Sequence, residues 1–495
     1  MMRGLSVTTA LLMLGTTPGV AQQYLLRLDA RLQTAEYRGL TYDTLSLSAA
    51  VPSPNGGLQT PGGIALICPP GNSVCHFYRP GAVRRGGPLT TSADLTAWGF
   101  GVPGLSLHAN GRLGVDLGAS NVWPGTRPAV QLFEGYAEYA GERINGRLGR
   151  QVERGRLGYT GYDGGRFTYR VPSLGLAAIA YGGLGLARAT ALPVTSDALN
   201  PLDDFQPRRR QIVAGGAIEW QGPSIDARVD YLREVDREPK NLVAERGAIS
   251  ATFRPLAGWS LSGGAEYDFS YQWWGSADLT LRHSERRFGG AVGVRRYRPY
   301  FDLWTLWGVF SPVPYSAANG SLWVTPVRGL DLRAGGERYW YSDAGVSAPL
   351  GIVADDGWRW NAGATLALSP AWSIDGGYHA EYGPGASSQG GDGSVSWRPI
   401  SALSLTAEAG HLVRPLELRY TNPSLTWYGI SADVRATNRL RFGVGAVRYD
   451  ENRRRPDASG FSWSQTRLRA SLSWLLGSSA DQLPLPPARR RESGR

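Results

Sequence analysis

Gly104-Leu105-Ser106-Leu107-His108-Ala109-Asn110-Gly111-Arg112-Leu113-Gly114-Val115-Asp116-Leu117 is the stretch that decides the fold. Leu105, Leu107, Ala109, Gly111, Leu113, Val115 and Leu117 fall on one parity. Ser106, His108, Asn110, Arg112, Gly114 and Asp116 fall on the other. Side chains of an extended chain alternate between two faces, so one face here suits lipid and the other suits water. The run is long enough to cross a bilayer as a tilted strand.

The same period of two returns along the chain. Ile225, Ala227, Val229 and Tyr231 alternate with Asp226, Arg228 and Asp230. Trp259, Leu261, Gly263, Ala265 and Tyr267 alternate with Ser260, Ser262, Glu266 and Asp268. Leu403, Leu405, Ala407 and Ala409 alternate with Ser404, Thr406 and Glu408. An open sheet edge has nothing to bond in hydrocarbon, so such strands must close on themselves. The pattern predicts an all-β chain, a transmembrane antiparallel up-and-down barrel.

Composition agrees. Mean hydropathy is −0.25, ordinary for strands that are half polar. No segment approaches the continuous apolar run of about 20 residues that a spanning helix needs. Glycine (66 residues) and an aromatic content of 11 % suit tight turns and interfacial girdles. The formal net charge is +11, carried almost wholly by arginine; Lys240 is the one lysine. A nucleic-acid partner is set aside, because the arginines are spread along alternating strands rather than gathered in one patch. A charged outer-leaflet partner or an anionic solute fits them better.

Arg3, the apolar Leu5–Leu14 and the small-x-small Gly19-Val20-Ala21 before Gln22 read as a secretory signal over residues 1–21. The barrel is expected over 22–476, integral in the outer membrane of a Gram-negative-type bacterium and in contact with its lipid. Residues 477–495, with Pro484, Pro486, Pro487 and Arg489–Arg491, read as a disordered periplasmic tail. Cys68 and Cys75 are the only cysteines. In an exported, oxidising setting they read as a disulfide closing a small hairpin inside a long loop, 51–90. His76 beside them leaves a metal one ligand short, and a c-type haem would need cysteine where Asn72 stands. No metal and no cofactor are expected.

Turn chemistry recurs at Val102-Pro103-Gly104, Val171-Pro172-Ser173, Gly222-Pro223-Ser224, Pro255-Leu256-Ala257-Gly258 and Pro326-Val327-Arg328-Gly329. It recurs again at Ser369-Pro370-Ala371 and Pro399-Ile400-Ser401, with polar turns at Ala140-Gly141-Glu142, His283-Ser284-Glu285 and Ala436-Thr437-Asn438. Long connections alternate with them, at about 47–90, 118–129, 188–210, 300–316, 342–355 and 450–460. Short periplasmic turns and long extracellular loops are the asymmetry of bacterial barrels. Ten short turns and two termini imply about 22 strands, within 18 to 24. Trp98, Trp220, Trp259, Trp323, Trp372, Trp397 and Trp474 lie near short turns or the barrel's end, as a periplasmic girdle would.

Residues 133–170 carry Phe133-Glu134-Gly135-Tyr136-Ala137-Glu138-Tyr139, Leu148-Gly149-Arg150-Gln151 and Tyr162-Asp163-Gly164-Gly165-Arg166. This stretch resembles the substrate-selective porins of the phosphate-porin and alginate-export type. The resemblance implies a passive channel with an arginine-lined lumen.

By parity the lumen should be lined by Arg112, Asp116, Arg147, Asp226, Arg228 and Asp230. Further round it should be lined by Glu266, Asp268, Arg333, Asp375, His379, Glu381, Arg467 and Arg469. Cross-strand ion pairing would satisfy such a wall; rings of arginine would favour anions. The cluster Arg147, Arg150, Arg154, Arg156, Arg166 and Arg170 tilts the reading to anions. Asp203 and Asp204 with Arg208, Arg209 and Arg210 make loop 188–210 a candidate constriction, with loop 51–90 as its rival. Ser106, His108 and Asn110 share one strand face, where their side chains point in parallel, and the chain is not expected to be an enzyme. The reading is a passive pore for small polar or anionic solutes. The alternative is an interaction barrel that scaffolds, or is plugged by, a periplasmic or surface protein.

Overall fold

The computed structural model describes residues 23–53, 56–119, 129–186, 211–236, 242–298, 314–341, 356–383, 388–413, 423–453 and 462–478. The proposed signal and tail lie outside the described residues, apart from Gly477 and Ser478. The first strand, β1, is two collinear segments, Gln23–Gln33 and Ala35–Ser46, and β2 is Val74–Trp98. There follow β3 (Leu105–Gly118), β4 (Val130–Ala140), β5 (Ile144–Gly155), β6 (Gly158–Val171) and β7 (Leu176–Gly185). Next come β8 (Ile212–Gln221), β9 (Ile225–Val235), β10 (Leu242–Phe253), β11 (Trp259–Asp268) and β12 (Trp273–Ser284). Then β13 (Phe288–Tyr297), β14 (Tyr315–Val327), β15 (Leu330–Tyr341), β16 (Asp356–Ser369) and β17 (Trp372–Tyr382). The circuit ends with β18 (Ser388–Ile400), β19 (Leu403–Val413), β20 (Pro423–Arg435), β21 (Leu440–Arg453) and β22 (Trp463–Gly477).

Each strand pairs antiparallel with the next. β1 then pairs with β22, from Leu25↔Gly477 to Gln33↔Arg469, which closes a barrel of 22 strands. The ten short turns of the sequence are its periplasmic connections. Pro326 and Pro399 have no backbone donor, and the ladder shifts register where each sits, between Val324 and Val327 and between Trp397 and Ile400. Gly104 closes the β2–β3 turn at φ +82°, with a side chain excluded by the Ala140 carbonyl oxygen 2.5 Å from where its Cβ would stand.

One parity of every strand forms an apolar exterior: Leu107, Val115, Leu148, Ile218, Val292, Leu322, Ile430 and Val444 are among its exposed residues. No helix among the described residues is long and apolar enough to cross a membrane; strands do the crossing. A closed barrel with this exterior is the transmembrane type of bacterial outer membranes. Trp323, opposite Arg333, is on the inward parity and corrects the expected girdle, whereas Trp220, Trp259, Trp372, Trp397 and Trp474 stand on the exterior near the short turns. Trp98 does not join them. It is 5 % exposed, on the parity of Ser106, and its indole N–H donates to Gln23 Oε1 at 2.6 Å.

Two further expectations are corrected. Residues 51–90 are not loop throughout, because β2 begins at Val74 and pairs with β1 from Ser46↔Val74 to Ala35↔Gly86. A bulge at Gly39, opposite Gly81 and Ala82, passes the ladder round Pro80, which is why the Pro-Gly signal misleads there. The disulfide therefore ties the loop to the foot of β2, Cys68 to Cys75, with S–S 2.04 Å. The outer connections are also not uniformly long. β5 joins β6 through Arg156 and Leu157 alone, and β11 joins β12 across residues 269–272.

An inward hairpin and the lumen wall

The tip of the β5–β6 hairpin leaves the wall. β4 stops pairing with β5 at Arg150, and β7 reaches β6 only as far as Gly161, through Leu186. Beyond those points the hairpin has no strand on either side. Gly158 at φ +97° closes the turn after Arg156 and Leu157. Leu157, 7 % exposed, packs on Val213 of β8, Leu232 of β9 and Ala248 of β10. All three lie on the inward parity of their strands, so the tip is folded into the lumen.

Arg156 pins it there. Its guanidinium bonds Asp278 of β12, donates to Ser276 O at 3.4 Å and lies 3.7 Å from Glu266 Oε1 of β11. Tyr162 and Gln151, at the base of the tip, are fully buried, and the Tyr162 hydroxyl donates to Glu153 at 3.2 Å. The hairpin thus covers the lumen face of a sector running from β7 to β12. The candidate loop with Asp203, Asp204, Arg208, Arg209 and Arg210 lies outside the described residues. Among those described, the element folded into the lumen is this hairpin, which the sequence reading did not single out. The available signal was a two-residue connection, Arg156-Leu157 between Gly155 and Gly158, with an apolar residue at a loop tip.

The charged residues expected in the lumen divide into two groups. Under and around the hairpin, Arg228 donates to Asp230 Oδ1 at 2.7 Å and also bonds Glu219, and Asp226 pairs with Arg254 at 2.7 Å. Asp230 and Asp268 are on the inward parity but buried. Asp268 is not a wall group facing water: it accepts the backbone N–H groups of Ser270 and Tyr271 at 2.8 and 3.0 Å, and so shapes the β11–β12 turn.

At the base of the hairpin Arg166 bonds Glu153 at 2.8 Å, and on the open wall Arg147 bonds Glu138 at 3.0 Å. Arg333 reaches Asp375 at 3.1 Å and Arg469 reaches Glu408 at 3.2 Å. Arg467 donates to Gln465 at 3.1 Å and stacks over Tyr449. Arg112 and Asp116 share the inward parity of β3. A polar recess of about 510 Å³ opens between β13 and β17, lined by Arg295, Asn319, Glu337, Arg359, His379 and Glu381 among others. There Arg295 donates to Glu337 at 2.7 Å and Arg359 to the same oxygen at 3.0 Å. Side-chain exposure is 10 % for Glu337 against 35 % for Arg295 and 39 % for Arg359. The Glu337 carboxylate is tucked at the wall and the two guanidinium groups are the more exposed, with Glu381, 28 % exposed, 3.9 Å from Arg359.

The arginine cluster near residue 150 is not wholly luminal. Arg150 sits on the parity of Leu148 and makes two bonds to Asp163, at 2.7 and 3.0 Å, on the lipid side. The expectation that Ser106 and His108 stand apart also fails: Ser106 Oγ lies 3.1 Å from His108 Nε2. Glu138 approaches that same nitrogen at 3.4 Å, so the carboxylate does not orient the imidazole from its other side, and Ser106 is buried. Among the described residues no group of three His, Cys, Asp or Glu is placed to hold a metal.

No protein-family model matches the chain, and no curated protein sequence does. Solved structures similar to it include a BenF-like porin from Pseudomonas fluorescens Pf-5, with 10 % identity, TM-score 0.39, and coverage of 92 % of this chain and 99 % of that one. The outer membrane protein opdK from Pseudomonas aeruginosa is 10 % identical with TM-score 0.40, over 92 % of this chain and 99 % of that one. The copper transporter OprC is 11 % identical with TM-score 0.43, over 91 % and 80 %. None of these is a phosphate or alginate porin by name, and at such identities no residue role passes from them to this chain.

Proposed function

We propose that the barrel is a passive channel for small polar or anionic solutes. The carrying observation is the lumen itself: a closed wide barrel in which a hairpin narrows one side while the opposite wall stays polar. A barrel of this strand number is wide enough for an aqueous path beside such an element. Arg295, Arg359, Arg333 and Arg469 present guanidinium groups to that path, with Glu337 drawn back behind two of them. A solute carboxylate or phosphate would meet several donors in succession and be held by none too tightly to leave. The reading needs no cofactor and no chemical step.

Ion selectivity of the mature chain in a planar bilayer tests it. Steady conductance with a reversal potential on the anion side supports it. A folded barrel that passes no current would favour the alternative of a lumen filled or capped by a protein partner.

A further inference from the structure

The outer face of the wall carries a level set of cations that the lumen reading does not use. Arg233 in β9, Arg296 in β13, Arg338 in β15 and Arg448 in β21 are each the ninth residue of an ascending strand, counted from Ile225, Phe288, Leu330 and Leu440. His411 holds the same place in β19, counted from Leu403. The four arginines share the parity of Val229, Val294, Leu332 and Val444, which are exposed on the exterior. Eight steps of about 3.3 Å along a strand tilted by about 40° rise roughly 20 Å above the short turns. That is the upper margin of an apolar band about 25 Å tall, where an arginine costs little to place.

Carboxylates steady three of them. Asp356 lies 2.7 Å from Arg338, Asp450 lies 3.1 Å from Arg448, and Glu245 lies 3.9 Å from Arg233. Two of these pairs leave donors free to point outward, with side-chain exposure 63 % for Arg338 and 52 % for Arg233; Arg448, at 38 %, is less exposed than its partner Asp450 at 44 %. The opposite margin of the same face carries tryptophan, at Trp220, Trp259, Trp372, Trp397 and Trp474, while the arginine level sets its own Trp340 and Trp358 beside Arg338.

We propose that this ring docks phosphate-bearing lipids of the outer leaflet, each guanidinium taking oxygens of a lipid phosphate. Guanidinium groups and lipid phosphates are complementary in charge at this fixed height. A basic residue beside an anionic membrane surface is worth about 1 kcal/mol, or about fivefold in binding. The inference goes beyond the channel reading and uses none of its residues, so a failure of one leaves the other standing.

The test compares the native barrel with a variant carrying Arg233→Gln, Arg296→Gln, Arg338→Gln and Arg448→Gln. Both are refolded into phosphatidylcholine vesicles, with and without diphosphorylated lipid A, and the lipid A retained per barrel after extraction is measured. The native barrel should retain lipid A in preference to phosphatidylcholine, and each arginine removed should cost about fivefold. Folding and conductance in phosphatidylcholine alone should be unchanged. Should the glutamine variant not fold, the matching Arg→Lys variant, which keeps the charge, should retain lipid A, and Arg338→Gln alone should lose part of it. Equal retention by native and glutamine-substituted barrels, or no preference for lipid A in the native one, would overturn the proposal.

Discussion

Arg156, at the tip between β5 and β6, bonds Asp278 of β12, six strands further round the wall. No backbone ladder joins these strands, so side chains hold the tip across that sector of the lumen: Arg156 at its far end, Leu157 in its apolar seat, and the Arg166–Glu153 pair with buried Tyr162 and Gln151 at its base. Of these, Arg156 is the contact that reaches furthest round the wall.

Arg156→Ala should therefore widen the pore. It removes hydrogen bonds to charged groups, each worth about 1.5–3 kcal/mol. Single-channel recording should show higher and noisier conductance, while the gel shift between heated and unheated protein stays as in the native chain. Unchanged conductance would mean that the hairpin is held by other contacts.

Leu157→Asp attacks the same seat from its apolar side. It would place a carboxylate against Val213, Leu232 and Ala248, which costs several kcal/mol if it stays buried. The tip should swing out instead. Protease cleavage near residue 156 should then appear in folded protein, where the native hairpin resists.

Glu337→Gln should raise anion selectivity, because Arg295 and Arg359 lose the carboxylate they share. One unit charge about 6 Å from a permeating ion in water is worth roughly 0.7 kcal/mol, or about threefold in permeability ratio. Arg359→Ala should move the reversal potential the opposite way by a similar amount. Two shifts of the same sign would refute the assignment of the recess as part of the filter.

Above the barrel, Asp43 sits on the β1–β2 ribbon, where the Thr44 backbone N–H and the Arg79 guanidinium hold its carboxyl below the ordinary aspartate range. A depressed pKa stabilises the ribbon above the unfolded value, and the effect fades as pH falls through the folded one. Proteolysis of this ribbon should thus stay slow at mildly acidic pH and rise only below about pH 4, the unperturbed aspartate range. Asp43→Asn should remove that dependence.

Cys68→Ser with Cys75→Ser should loosen residues 47–73 and leave the barrel intact. Closing a loop this short is worth about 2 kcal/mol in chain entropy. Faster cleavage within 47–73, with unaltered conductance, is the expected pair of results.

Much of this fold was legible in the sequence. The alternation at Leu105–Leu117 marks β3 and its two faces directly, since a period of two needs only local geometry. The ten short turns were legible for the same reason, as proline and glycine stop strands wherever they stand. The hairpin tip was not. Gln151, Glu153 and Val152 continue the alternation whether the strands stay in the wall or leave it. Their departure is set by where β4 and β7 end, which is a property of neighbours rather than of residues 151–162. Trp98 was misplaced for a related reason. Nearness to a turn fixes its height but not its face, and its pairing with Ser106 puts it inside.

The most direct test of the account is single-channel conductance and reversal potential of the refolded mature chain, native and Arg156→Ala, in a planar bilayer under a salt gradient. The account predicts a steady, anion-selective native current that grows when Arg156 is removed. A folded barrel silent in both forms would contradict it.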